Sequence, residues 1–199
     1  MPVDAAQTTI DLPPYATLAR EHRLIERALG ILARFCDEAV RTKTLDPAFA
    51  RELLRFIREF ADRTHHLKEE RILFPAIDAR SFFPGCGLLS EHELGRLRVR
   101  NMAAAVERWS AGDAEARMAF VRQARSYVSL LQAHIAKEDE CLARVTAASF
   151  PGDEERQALA REFDELERRE MGEGAFERYA ALLEPLEARL RAWAAAARP

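Results

Sequence analysis

Two stretches of the chain set histidine, lysine and glutamate at the same intervals: "HHLKEERIL" starting at His65 and "HIAKEDECL" starting at His134. Aligned without a gap, His65 pairs with His134, Lys68 with Lys137, and Glu69 with Glu138. A histidine and a glutamate four residues apart share one face of a helix, about one turn apart along its axis. Imidazole nitrogen beside carboxylate oxygen is a donor set for iron, manganese or zinc rather than for a thiolate-seeking metal. Two further histidines, His22 and His92, each stand alone on segments of their own. Four imidazoles and two carboxylates form a complete set for a dinuclear metal site. Each ion would take two nitrogens, and Glu69 and Glu138 would bridge. The metal-ligand candidates are therefore His22, His65, Glu69, His92, His134 and Glu138; no other catalytic or cofactor-binding residue is assigned.

These residues need elements that bring them to one level of a core. The segment at about 15–40 carries Tyr15, Leu18, His22, Ile25, Leu29, Leu32 and Cys36, whose steps alternate between three and four. That is the seam of a helix packed in a bundle. A third segment opens at "SEHE", where Ser90 and Glu93 have capping-box spacing, and its seam is His92, Gly95, Val99, Met102, Val106 and Trp109. A fourth, at about 113–148 with Asp113 as its N-cap, carries Phe120, Ala124, Tyr127, Leu131, His134, Glu138, Cys141 and Val145 on one line. The second, at about 47–77, buries Leu53, Leu54, Ile57, Phe60, Ala61, Ile72 and Ala76. At about 100° per residue, His65 and Glu69 fall at an edge of that face, while His66 and Glu70 turn further toward solvent. Three readings stay open for His66: a ligand after local helix adjustment, an outer partner of the ligands, or a surface residue, the last two preferred. Tyr127 reads as core packing. A bare carboxylate on a buried seam costs several kcal/mol, so the seams of Glu69 and Glu138 call for a compensating cation.

Short connections make consecutive helices antiparallel neighbours, so the fold is all-α: an up-down-up-down antiparallel four-helix bundle with an added C-terminal helical hairpin. The expected divisions are a tail at 1–14, the bundle at 15–148 and a helical extension at 149–199. In that extension Leu159, Phe163, Leu166, Phe176, Tyr179, Leu183, Leu186, Leu190 and Trp193 need a surface, either the bundle's exterior or a second subunit or protein partner. Pro185 is expected to kink or interrupt the last helix.

The chain of 199 residues is 48% hydrophobic and 32% charged, which suits a soluble protein with a sizeable core. A net charge of −3 gives no electrostatic case for nucleic acid or an anionic membrane. The start "MPVDAAQTTIDLPP" has no signal-peptide pattern, and no apolar run nears the roughly 18 residues that span a bilayer. Cys36, Cys86 and Cys141 form no CxxC pair, which favours unbridged thiols in a reducing cytoplasm. Cys36 and Cys141 lie away from the ligand level in opposite axial directions, so neither ligates nor do they pair.

Taken together, "REHRLIE" around His22, "HHLKEERILFP", "SEHE" and "HIAKEDE" resemble the hemerythrin-like HHE cation-binding family over about residues 15–147. The resemblance implies a non-haem di-iron centre, oxo- or hydroxo-bridged, with Glu69 and Glu138 as bridges; zinc or manganese are the other candidates. It implies binding of, or reaction with, O2, NO or peroxide, in sensing, scavenging or iron-centre repair. The alternative is a non-catalytic iron or zinc storage or regulatory module acting through a protein partner. Oxygen-carrying members have two histidines one turn apart on the third helix, whereas Leu88 and Arg96 flank His92 at those positions. The resemblance therefore leaves one ion with fewer histidines unless His66 substitutes, and leaves more room for NO, peroxide or metal exchange.

Overall fold

The computed structural model describes residues 12–80 and 87–196. Six helices account for its regular structure, and no strand occurs among the described residues. Helix α1 is Tyr15–Thr42 and ends at Lys43 in the left-handed conformation (φ 56°). Helix α2, over 47–78, starts with Pro47 in its first turn, where a missing N–H costs nothing, and with Asp46 as N-cap. The Asp46 carboxylate accepts from the Ala48 and Phe49 amides at 3.0 Å each. Helix α3 is Leu88–Ser110, and α4 covers 116–149. Helices α5 (Asp153–Met171) and α6 (Ala175–Ala196) follow.

Two of the helices change pitch beside the seam histidines and glutamates. Within α2, Ile57–His66 and Glu69–Leu73 are π-helical, and within α4 so is Glu138–Leu142. A π turn takes in one more residue than an α turn, so the buried face moves along the sequence. The displaced residues record this: Leu73 and Ile77 are buried where Ile72 and Ala76 were expected, and Leu142 and Thr146 where Cys141 and Val145 were.

The seams predicted for α1 and α3 are buried, apart from Trp109, which is partly exposed and donates to the Leu45 carbonyl at 3.0 Å. Contacts between α1 and α2, α2 and α3, α3 and α4, and α4 and α1 run in opposed registers. His22 meets His65 while Phe35 stacks on Phe49, and Arg51 reaches Glu107 while Arg96 reaches Asp62. Arg98 lies beside Gln123 while His92 lies beside His134, and Asp37 pairs with Arg125 while His22 lies beside Asp139.

Some expected helix signals are corrected. Helix α3 begins at Leu88 after Gly87, so Ser90 and Glu93 lie inside it, exposed, and form no capping box. Asp113 sits in the preceding turn and accepts from the Glu115 amide at 3.0 Å, three residues before α4 starts. Pro185 does not interrupt α6; Leu183 and Leu186 on either side of it are fully buried, and that packing outweighs one lost backbone bond. The hairpin's apolar side covers the bundle's own exterior: Tyr179, Leu183, Leu186 and Leu190 join the main core, and Leu159 and Phe163 join a second cluster with Tyr15, Leu18 and Leu73. Cys36 is a buried free thiol and Cys141 is half-buried; Cys86 lies outside the described residues. No helix among the described residues is long and apolar enough to cross a membrane.

Candidate metal centre

All six predicted ligand residues are buried and meet at one level between α1, α2, α3 and α4. His22, His65, Glu69 and Glu138 bring one ligand atom each within 4.8 Å of one another. Glu69, His92, His134 and Glu138 do the same. The two groups share both glutamates, so the geometry is that of two adjoining sites with a common carboxylate pair.

The ring nitrogens say what belongs between them. His22 Nδ1 lies 2.9 Å from Asp139, His65 Nδ1 3.0 Å from Glu21, His92 Nδ1 2.7 Å from Glu70, and His134 Nδ1 2.8 Å from Glu91. A nitrogen facing a carboxylate carries the proton, so the Nε2 of each neutral ring presents a lone pair inward. Those Nε2 atoms face one another at 3.2 Å (His22 and His65) and 3.1 Å (His92 and His134). Opposed lone pairs at that distance require positive charge between them, a proton or a metal ion. The carboxylates carry the same message: all four oxygens of Glu69 and Glu138 are buried without a hydrogen-bond partner. Buried orphan oxygens are costly and rare, and a bound cation satisfies them.

In the protein without metal, protons take part of that place. Burial opposes a charge on His22, but Asp139 and Glu138 beside it hold its pKa up at about 10. His92 is held up at about 9 in the same way by Glu69 and Glu70. Burial, with Glu138 adding to it, pushes the Glu69 carboxyl above the usual range. His65 is driven far down by burial and by its neighbour His22.

His66 is not where the 100° rule put it. It is 3% exposed, its ring stacks on His92 with centroids 3.8 Å apart and planes 13° from parallel, and neither ring nitrogen has a hydrogen-bond partner. His66, His92 and His134 each bring a ligand atom within 4.8 Å of the other two. The π-helical turn ending at His66 is the cause, since the wider turn swings two consecutive residues inward together. All five histidines of the chain therefore stand in the cluster. Glu70, also expected toward solvent, bends back to His92.

Outside the ligand candidates runs a ring of carboxylates that sequence reading missed. Glu21 on α1 holds His65 on α2, Glu70 on α2 holds His92 on α3, Glu91 on α3 holds His134 on α4, and Asp139 on α4 holds His22 on α1. Each is the chain neighbour of a candidate ligand on its own helix: Glu21 of His22, Glu70 of Glu69, Glu91 of His92, Asp139 of Glu138. A cation backs every one, Lys68 behind Glu21, Arg96 behind Glu70, Lys137 behind Glu91 and Arg23 behind Asp139. Such partners fix the ring orientation and tautomer of a ligating histidine. A visible signal existed: "EH" precedes or forms the core of two motifs, at Glu21–His22 and at Glu91–His92.

A cavity of about 130 Å³ opens beside His66, lined also by Ile57, Asp62, Gly95, Arg96, Val99 and Tyr127. Arg96, which stands where the third-helix histidine was looked for, spans Asp62 at 2.8 Å, Glu70 at 2.7 Å and Glu93 at 2.7 Å. Tyr127, expected as packing, is buried and forms one wall of this cavity.

With this geometry in view, comparison with known proteins is specific about one region. The Hemerythrin HHE cation binding domain matches residues 14–146. An uncharacterized protein of Mycobacterium bovis is 28% identical over 166 residues, covering 80% of this chain and 63% of that protein. Uncharacterized proteins from two strains of Mycobacterium tuberculosis match at the same 28% over 166 residues. The chain thus spans 63% of the length of these curated relatives. No solved structure matches it.

Proposed function

The chain belongs to the hemerythrin HHE cation-binding family, and on that premise we propose that it holds a dinuclear non-haem iron centre that binds or reacts with a small ligand. The observation that carries this reading is the pair of buried glutamates, Glu69 and Glu138, whose four oxygens make no hydrogen bond while the Nε2 atoms of His22 and His134 face Glu138 at 3.2 Å and those of His92 and His65 face Glu69 at 3.4 and 3.8 Å. His22 and His65 would hold one ion, His92 and His134 with His66 the other, and both glutamates would bridge. The same reading includes the topology, an up-down-up-down antiparallel four-helix bundle with an added C-terminal hairpin, supported by the opposed registers of neighbouring helices.

Bound there, iron supplies redox-active coordination positions for O2, NO or peroxide. The protein's own part is to orient and shield. Four carboxylates hold the imidazoles in one tautomer, and the burial of every candidate ligand keeps bulk water away from the centre. The cavity beside His66, walled by Ile57, Val99 and Tyr127 and lined also by Arg58, Arg96 and Arg100, offers a small ligand a way toward the His92 half. A ligand-handling role in sensing, scavenging or iron-centre repair fits that access better than closed storage.

Metal analysis with an optical spectrum in air and again after dithionite tests the proposal. The expected result is about two iron atoms per chain and near-ultraviolet absorption that bleaches on reduction. A protein loaded with one metal, or with zinc and no spectral change, overturns it.

A further inference from the structure

We infer that the C-terminal hairpin, which lies beyond the family match, is coupled to the His22/His65 half of the centre through Glu167, acting as a positioning residue. This rests on the dinuclear reading above. The path is a short line of charges. Glu167 on α5 approaches Lys68 Nζ at 2.5 Å, Lys68 also pairs with Glu21, and Glu21 accepts from His65 Nδ1 at 3.0 Å. Lys68 is a buried ammonium with none of its side chain exposed, and a buried ammonium persists only where anions meet it. Here two carboxylates share it, one from the bundle and one from the hairpin.

The corresponding positions in the other half make the contrast. Lys137 pairs with Glu91, which holds His134, yet 35% of the Lys137 side chain is exposed. Helix α5 breaks the likeness between the halves, because it lies against the π-helical stretches of α2 that carry His65 and Glu69. Phe163 and Leu159 fix it there beside Tyr15 and Leu18, and Arg63 approaches Glu170 at 3.5 Å.

The direction of the effect follows from charge. With Glu167 present, Lys68 divides its attraction between two anions, and Glu21 keeps more of its electron density for the His65 N–H. That makes His65 Nε2 the stronger donor. Without the Glu167 charge, Lys68 draws on Glu21 alone and His65 becomes the weaker donor. Coupling is reciprocal, so metal at the His22/His65 half also steadies the docked α5.

The test uses the full-length chain, stripped of metal and titrated anaerobically with ferrous iron against a competing chelator. Amide deuterium exchange of α5 is followed with and without the metal. Wild type, Glu167→Gln and Glu187→Gln are compared; the last removes the pairing of α6 with Arg27 at 2.7 Å, away from the centre. The expected result is that Glu167→Gln weakens one of two binding steps, by less than the ~10–100-fold typical of losing a ligand's own outer partner such as Glu21, and leaves the other unchanged. Metal should slow α5 exchange in wild type and in Glu187→Gln, and no longer do so in Glu167→Gln. Two unchanged steps in Glu167→Gln, or equal weakening in both variants, overturns the coupling while leaving a wild type with two ions, and so the dinuclear reading, intact. A wild type that takes up no iron removes that reading and the coupling with it.

Discussion

His66 lies flat on His92, ring centroids 3.8 Å apart, with both of its nitrogens buried and without a hydrogen bond, Nδ1 facing Asp62 at 3.5 Å. Consecutive histidines on one helix both turn inward because the turn that ends on them is π-helical. The pairing separates a ligand from a bystander. His65→Ala and His66→Ala should each remove about one metal equivalent, from different halves of the centre. Competition titration with a chelator checks this. A loss for His66→Ala confined to the ~10–100-fold typical of an outer partner would return His66 to the periphery.

The ring of carboxylates makes a second prediction. Asp139→Asn and Glu70→Gln keep shape but remove the anion behind His22 and His92. Each should lower metal affinity by about 10–100-fold while the helical content stays that of wild type. Equal metal affinity in the variants and wild type would show that the ring only packs.

Much of this was legible in the sequence, up to the places where pitch changes. The alternation of threes and fours located His22 on α1 and His92 on α3, and both are buried where that spacing put them. On α2 the same rule holds through His65 and Glu69, and on α4 through Glu138, and beyond them it slips by one residue. Ile72 yields its place to Leu73, and Val145 to Thr146. His66 was lost to the π-helical turn that ends on it, because a fixed 100° step cannot register an inserted residue. The carboxylate ring was hidden for another reason: Glu21, Glu70, Glu91 and Asp139 look like ordinary solvated charges until a neighbouring helix supplies the histidine.

Metal and pH should act together on stability. In the metal-free protein His22 and His92 titrate at about 10 and about 9, above their unfolded value near 6.5. Raised folded pKa values of this kind contribute stability that is complete below about 6.5 and lost as pH climbs through 9 to 10. The raised carboxyl of Glu69 works in the same direction. Metal displaces these protons, and its affinity rises as they leave. The drop in Tm on chelation should therefore widen between pH 6.5 and 9, read by thermal unfolding with and without chelator. A drop that narrows over that window contradicts the account.

The hairpin's hold on the bundle can be measured separately. Leu183 is fully buried between α6 and the main core. Leu183→Ala should cost about 2–5 kcal/mol of unfolding free energy in denaturant titration, the range for emptying a packed leucine site. Its metal content should match wild type when folded, since Leu183 is not among the residues around the centre.

The central claim is that Glu69 and Glu138 join two ions. Anomalous diffraction from crystals of the metal-loaded protein, collected at the metal's absorption edge, addresses it directly. The account predicts two peaks within about 4 Å of each other, the usual separation of paired metals, both flanked by the Glu69 and Glu138 carboxylates. A single peak, or two peaks that the glutamates do not join, would contradict it.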